Sequence, residues 1–427
     1  MSLADAAAAG LSTEQAPPLA IPASFFALVP LTLVVAGAYL AASAAQIVPS
    51  HWLPGAMALT HLGTLGVLGS AMFGALYQMT PVVAGAPVPF VRLAHVVHAL
   101  WVLGVAALVF GFDAASPLAF QAAFGLISAA LLLFVVPVAT ALFRAPSRHE
   151  AVWGMRLAML ALVVVGGLGL RLAWARAGGA FPGDRAAWLL GHASVGLLCW
   201  IGGLIFAVSL QVVPMFYLAP APSRRLSLLG LGGVALSLLA VPVALLSDAG
   251  GLVVGLSATP AACAVWLLHP WLILSALARR KRRRRDISAD FWRAGLILAP
   301  ALMLLAGLSA VDSSGPWPAT LGWLAIYGWG GLIVHGMLTR IVPFLVWFHR
   351  FAALAGKRPI PAMRQLLPDK RARPGLWLHG AAVVLGTVAQ LTGWWVAGVA
   401  AGVALVGAGL VLGSGLARAL AQVPEKP

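Results

Sequence analysis

The side chains best equipped for chemistry in this chain are histidines set inside long apolar runs. His61 opens the stretch HLGTLGVLGSAMFGALYQMTPVVAG, which closes at Gly85. Imidazole among hydrocarbon costs free energy unless it has a partner, so an ionisable residue inside a span marks a functional site by default. At about 100° per residue, His61 shares a face with Met57, Leu65, Leu68, Met72 and Met79. Gly63, Gly66, Ser70 and Gly74 form a small-residue stripe roughly opposite. One side can then pack closely on neighbours while the other presents a nitrogen beside an apolar wall. That combination suits a haem iron and its porphyrin, with Met72 on the same wall. The competing reading is a histidine bonded to a carbonyl of an adjacent helix.

His192 lies at a similar depth in the sixth apolar run, on a face with Gly196, Cys199, Gly203 and Ala207. That face leaves space, which a planar cofactor, a metal or another helix can fill. His335 sits only eight residues before Pro343 and is therefore deeper. With His95 and His98 of the third run it suggests a second metal site or a proton path, against scattered histidines bonded to backbone and water. His269, before Pro270, has a weaker claim, and His51, His149, His349 and His379 read as loop or interface residues. Arg340 reads as snorkelling to the surface, where it is a candidate partner for haem propionates. Arg171 in the fifth run is a rival anchor for them.

These side chains need elements to hold them, and composition names the kind. Of 427 residues 61% are hydrophobic and 9% charged, against about 25% charged in soluble domains. Runs of about 20 apolar residues match the thickness of a bilayer. Twelve spans follow, over 23–46, 57–80, 91–113, 116–142, 152–176, 186–213, 226–247, 251–277, 291–311, 318–346, 375–395 and 397–421. The continuous Leu-, Ala- and Gly-rich runs lack the period-two alternation of a β-barrel. The fold class is all-α, a polytopic transmembrane bundle forming a single domain over 23–422.

The second, sixth and tenth spans share an ending: Gln78 to Pro81, Gln211 to Pro214 and Arg340 to Pro343. Each carries small residues ahead of its proline, which is expected to break the helix. Recurrence at four-span intervals predicts a pseudo-threefold repeat of four-helix units, approximately 23–142, 152–277 and 291–421.

The formal charge of +16 is spread as a topology signal rather than a nucleic-acid footprint. Basic residues gather in the loops after even-numbered spans, as in Arg144, Arg224 and the run from Arg279 to Arg285. By the positive-inside bias both termini are cytoplasmic, and the basic run touches anionic membrane lipids. Cys199 and Cys263 make no CxxC and imply no disulfide framework. Residues 1–22 read as a disordered cytoplasmic tail.

The spacing of His61, Gly66, Gly74, Pro81 and Gly85, with the ending Met337-Leu338-Thr339-Arg340, resembles the NnrS family. NnrS proteins are twelve-helix bacterial membrane proteins that bind haem and copper and act in nitric oxide stress and denitrification. They are similar in architecture to subunit I of haem-copper oxidases, in which a second-helix histidine ligates low-spin haem. The resemblance implies haem b at His61, possible copper, a place in the bacterial inner membrane, and partnership with another respiratory subunit. The seventh span, LSLLGLGGVALSLLAVPVAL, has no adjacent His-His pair, the tenth has no His-x-His, and Trp323 stands where a tenth-helix histidine belongs. The resemblance thus carries haem binding without a complete binuclear centre. Two other classes stay open: a secondary transporter or channel for a metal or small solute, and an assembly partner of a respiratory complex. No acidic residue lies well inside a span to couple ions, which speaks against transport.

Overall fold

The structure, a computed structural model, describes residues 13–281, 285–357 and 359–424. Among them there is no strand, and twelve helices are long and apolar enough to cross a membrane. They are α1 (Ala20–Ile47), α2 (Pro54–Ala84), α3 (Val91–Asp113), α4 (Pro117–Arg144), α5 (Glu150–Arg176), α6 (Arg185–Tyr217), α7 (Arg224–Leu246), α8 (Gly251–Ala278), α9 (Ile287–Val311), α10 (Trp317–Arg350), α11 (Asp369–Thr392) and α12 (Trp395–Ala421). Each coincides with one of the spans read from hydropathy. Part of the expected tail, 1–12, lies outside the described residues, as do 282–284 of the basic run. From Thr13 onward the rest is structured, with a 3-10 turn over Thr13–Gln15 and α1 beginning at Ala20.

The prolines do not end their helices. α2 and α6 each run three residues past Pro81 and Pro214, and α10 runs seven past Pro343. Proline removes one ladder hydrogen bond and crowds the carbonyl four residues back, which a helix near its end tolerates. α2 stops instead where Gly85 turns left-handed, at φ 68°, a conformation glycine adopts without steric cost.

Among the described residues four helices contain π-helical turns, over Leu62–Gly69 in α2, Val195–Gly202 in α6, Ala264–Leu268 in α8 and Leu324–Gly330 in α10. In α2, α6 and α10 the π stretch begins nineteen residues before the proline. These three are also the best-covered helices, with 67–72% of their apolar stretch buried against 28–50% elsewhere.

The chain divides into two compact units. The first holds α1, α2, the start of α9, nearly all of α10, and α11 and α12. In it, α1 and α12 cross backbone to backbone. A Cβ on Gly37 would stand 2.6 Å from the Gly402 carbonyl oxygen, and one on Gly402 would stand 2.5 Å from that of Gly37. The second unit holds α3 to α8, the rest of α9 and the first residues of α10. Ser237 of α7 there accepts from the Ala261 backbone N–H of α8 at 3.0 Å, just after Pro260 interrupts the α8 ladder.

Candidate functional site

His61 ends the α-helical part of α2, immediately before the π stretch. Its Nδ1 lies 2.7 Å from the Met57 carbonyl oxygen one turn back. A carbonyl can only accept, so Nδ1 carries the proton and Nε2 carries the lone pair. Metal-ligating histidines show this same outer hydrogen bond, which fixes the tautomer and orients the ring.

The stripe's glycines do admit close neighbours, but on two different helices rather than along one line. A Cβ on Gly63 would collide with Ile326 and Tyr327 of α10, while Gly66 and Gly74 admit Thr32 and Phe26 of α1. The opposite face does not continue straight. A π turn carries roughly one extra residue, which rotates everything beyond it by about 100°. Met72 and Met79 are buried, but this rotation takes them off the line that a uniform α-helix draws from His61.

Deeper in the first unit, two histidines meet. His335 of α10 and His379 of α11 are 1% and 0% exposed, with their Nδ1 atoms 3.0 Å apart. His379 Nε2 donates to the Tyr327 carbonyl oxygen at 2.9 Å, since that oxygen cannot donate. Neutral His379 therefore accepts at Nδ1, and His335 Nδ1–H is the donor. The His335 ring stacks on Phe291 of α9, centroids 4.4 Å apart, and abuts Gly375, where a Cβ would lie 3.0 Å from its Nε2. The Tyr327 hydroxyl donates to the Leu59 carbonyl oxygen of α2 at 2.8 Å, two residues before His61. His379 thus belongs to a buried network rather than to a loop or interface. α11 begins at Asp369, so His379 stands well inside it.

Arg340 does not reach freely for the surface. It pairs with Asp286, just ahead of α9, at 3.3 Å, with the two side chains only 16% and 14% exposed. Asp286 also accepts from the Ser288 hydroxyl at 2.8 Å.

The other sequence candidates lie in the second unit. His192 packs against Gly169 of α5, where a Cβ would fall 2.9 Å from its Cε1. The small-residue face beside it is taken up by helices: Gly196 meets Val165, Ala207 meets Gly154, and Gly203 meets Val234. Arg171 donates to the Ala180 carbonyl oxygen at 2.8 Å. His95 and His98 stand near the start of α3, His95 exposed. His269 is fully buried and lies 2.9 Å from Ser209 Oγ, which itself donates to the Phe206 carbonyl oxygen. His269 Nε2–H is therefore the donor to Ser209.

Among the described residues no three or more His, Cys, Asp or Glu side chains gather as metal-ion ligands. Fold and composition define the class, a polytopic α-helical integral membrane protein. Compared with protein-family models and with curated proteins, the chain matches none.

Proposed function

We propose that this is a haem-binding membrane protein of the oxidase-like superfamily that NnrS resembles, with His61 supplying one axial ligand. The observation that supports the reading is the 2.7 Å contact from His61 Nδ1 to the Met57 carbonyl, which sets the tautomer and orients the ring within an apolar span. The donor chemistry fits: a neutral imidazole held by a backbone carbonyl is how proteins present histidine to iron. A bound haem would supply reversible one-electron chemistry and an iron site for small gases. The chain's own residues orient His61 through Met57, keep α2 against α1 and α10 through its glycines, and exclude water with buried apolar side chains.

The threefold repeat belongs to the same proposal. It is supported by π stretches at one distance from three prolines, on the three best-covered helices. Nitric oxide response or respiratory electron transfer in a bacterial inner membrane, with cytoplasmic termini, completes the reading.

Protein purified from its native host should show a Soret band that His61→Ala abolishes or shifts, while His192→Ala leaves it in place. A colourless, folded and biologically competent wild-type preparation would overturn the proposal.

A further inference from the structure

We propose that the end of α10 is a binding site for an anionic phospholipid, one acyl chain lying in an apolar groove and the phosphate facing a basic rim. The groove has a volume of about 250 Å³ and is lined by Phe344, Trp347, Ile360, Pro361, Ala362 and Met363. Met363 also borders a polar cleft containing Ser288, Thr339, Arg340 and Arg364. An apolar channel that meets a polar edge within one side chain matches an amphiphile, and the groove opens where a span meets its interfacial segment.

Charge selects the headgroup. The acids at the cleft are already used: Asp286 pairs with Arg340, and Asp369 with Arg364 at 2.9 Å. Next to these acids in sequence, Arg285, Lys370, Arg371 and Arg373 are exposed, with no acidic partner among the described residues. Basic clusters at span ends attract anionic headgroups. The groove wall is also fixed in place. Trp347 Nε1–H donates to the Pro361 carbonyl at 3.0 Å, and Arg364 donates to the Arg285 carbonyl at 3.0 Å. A preformed site loses little entropy on binding.

The test counts retained lipid by native mass spectrometry, after reconstitution in equimolar phosphatidylglycerol and phosphatidylcholine. The wild type should keep phosphatidylglycerol preferentially. The triple variant Lys370→Gln, Arg371→Gln, Arg373→Gln should lose about fivefold of that preference per cation. Ala362→Trp, which fills the groove, should lose retention of both lipids, and millimolar inorganic phosphate should displace neither. Equal retention of the two lipids by wild type, unchanged preference in the triple variant, unchanged retention in Ala362→Trp, or displacement by phosphate would each overturn the site. Should a variant fail to fold, photoactivatable phosphatidylglycerol on wild type decides, since its cross-links must fall within 344–363. None of these readouts depends on haem, so this inference and the His61 reading fail separately.

Discussion

The buried histidine pair yields a prediction whose sign is unusual: removing both rings should cost no more than removing His379 alone. His379→Leu strands the His335 Nδ1–H and the Tyr327 carbonyl, both in the interior. Each unmatched group costs about 1–3 kcal/mol. His335→Leu strands only the His379 lone pair, and forfeits the stack on Phe291, worth about 0.5–1.5 kcal/mol. In the double variant only the Tyr327 carbonyl is left unmatched, with the same stack lost. The two effects therefore overlap, and a double-mutant cycle should return a coupling of at least about 1 kcal/mol. The lower part of the range is the better guide, because interhelical hydrogen bonds in membranes average about 0.6 and reach about 1.7 kcal/mol. Unfolding by SDS titration from mixed micelles gives the four free energies. Additivity within about 0.5 kcal/mol would mean that the rings act independently and that the tautomer assignment is wrong.

Three further substitutions test the packing and the loops. Gly402→Ala places a methyl against the Gly37 carbonyl, where backbone cannot yield, and should cost about 1–3 kcal/mol in the same titration. Gly380→Ala on α11, with nothing within 4 Å, should be neutral or stabilising. In the loop between α9 and α10, the Ser314 hydroxyl first, and then the Gly315 and Ser314 backbone N–H groups, hold the Asp312 carboxyl below its usual range. The folded chain therefore binds that proton less readily than the unfolded one. The contribution is fully present above the ordinary value of 3.8 and fades as pH falls through the lower folded value. Asp312→Asn should remove that pH dependence, read from melting temperature below pH 5.

Hydropathy located all twelve spans because a bilayer imposes their length, but it misjudged where some of them begin. The run Asp369-Lys370-Arg371-Ala372-Arg373-Pro374 looks like a loop by polarity, yet it is the first turns of α11. Asp369 suits a helix start, where acidic side chains meet the positive end of the dipole, and the cations extend outward from a helix already formed. A span that starts at 375 puts His379 near its edge and hides the His335 partner, which only the packing of α10 on α11 reveals. The Arg340–Asp286 pair is hidden in the sequence for a related reason. Snorkelling is the default for a lone arginine, but Asp286 is fifty-four residues away in sequence, and no local pattern announces the pair. The bond from His61 to Met57 is local, one turn back along the same helix, whereas the sequence reading looks to a carbonyl on an adjacent helix.

The π turns are the feature that sequence periodicity could not supply, and they alter the reading most. A wheel drawn at constant angle assigns faces correctly up to His61 and wrongly beyond Gly69, because one extra residue moves every later side chain by about a quarter-turn or more. An i→i+5 turn is rare and frequently marks a functional site, and a neutral origin would scatter such turns along the helices. Instead three of the four described stretches fall at one distance from a proline, in α2, α6 and α10, and the α8 stretch stands apart. Those are also the best-covered helices of the units that hold them. Close coverage lets a neighbour satisfy carbonyls displaced by the wide turn, as the Tyr327 carbonyl does by accepting from His379. A wide turn in a buried helix thus offers polar backbone to side chains inside the membrane, and His61 stands at the mouth of one such turn while His379 is anchored on another.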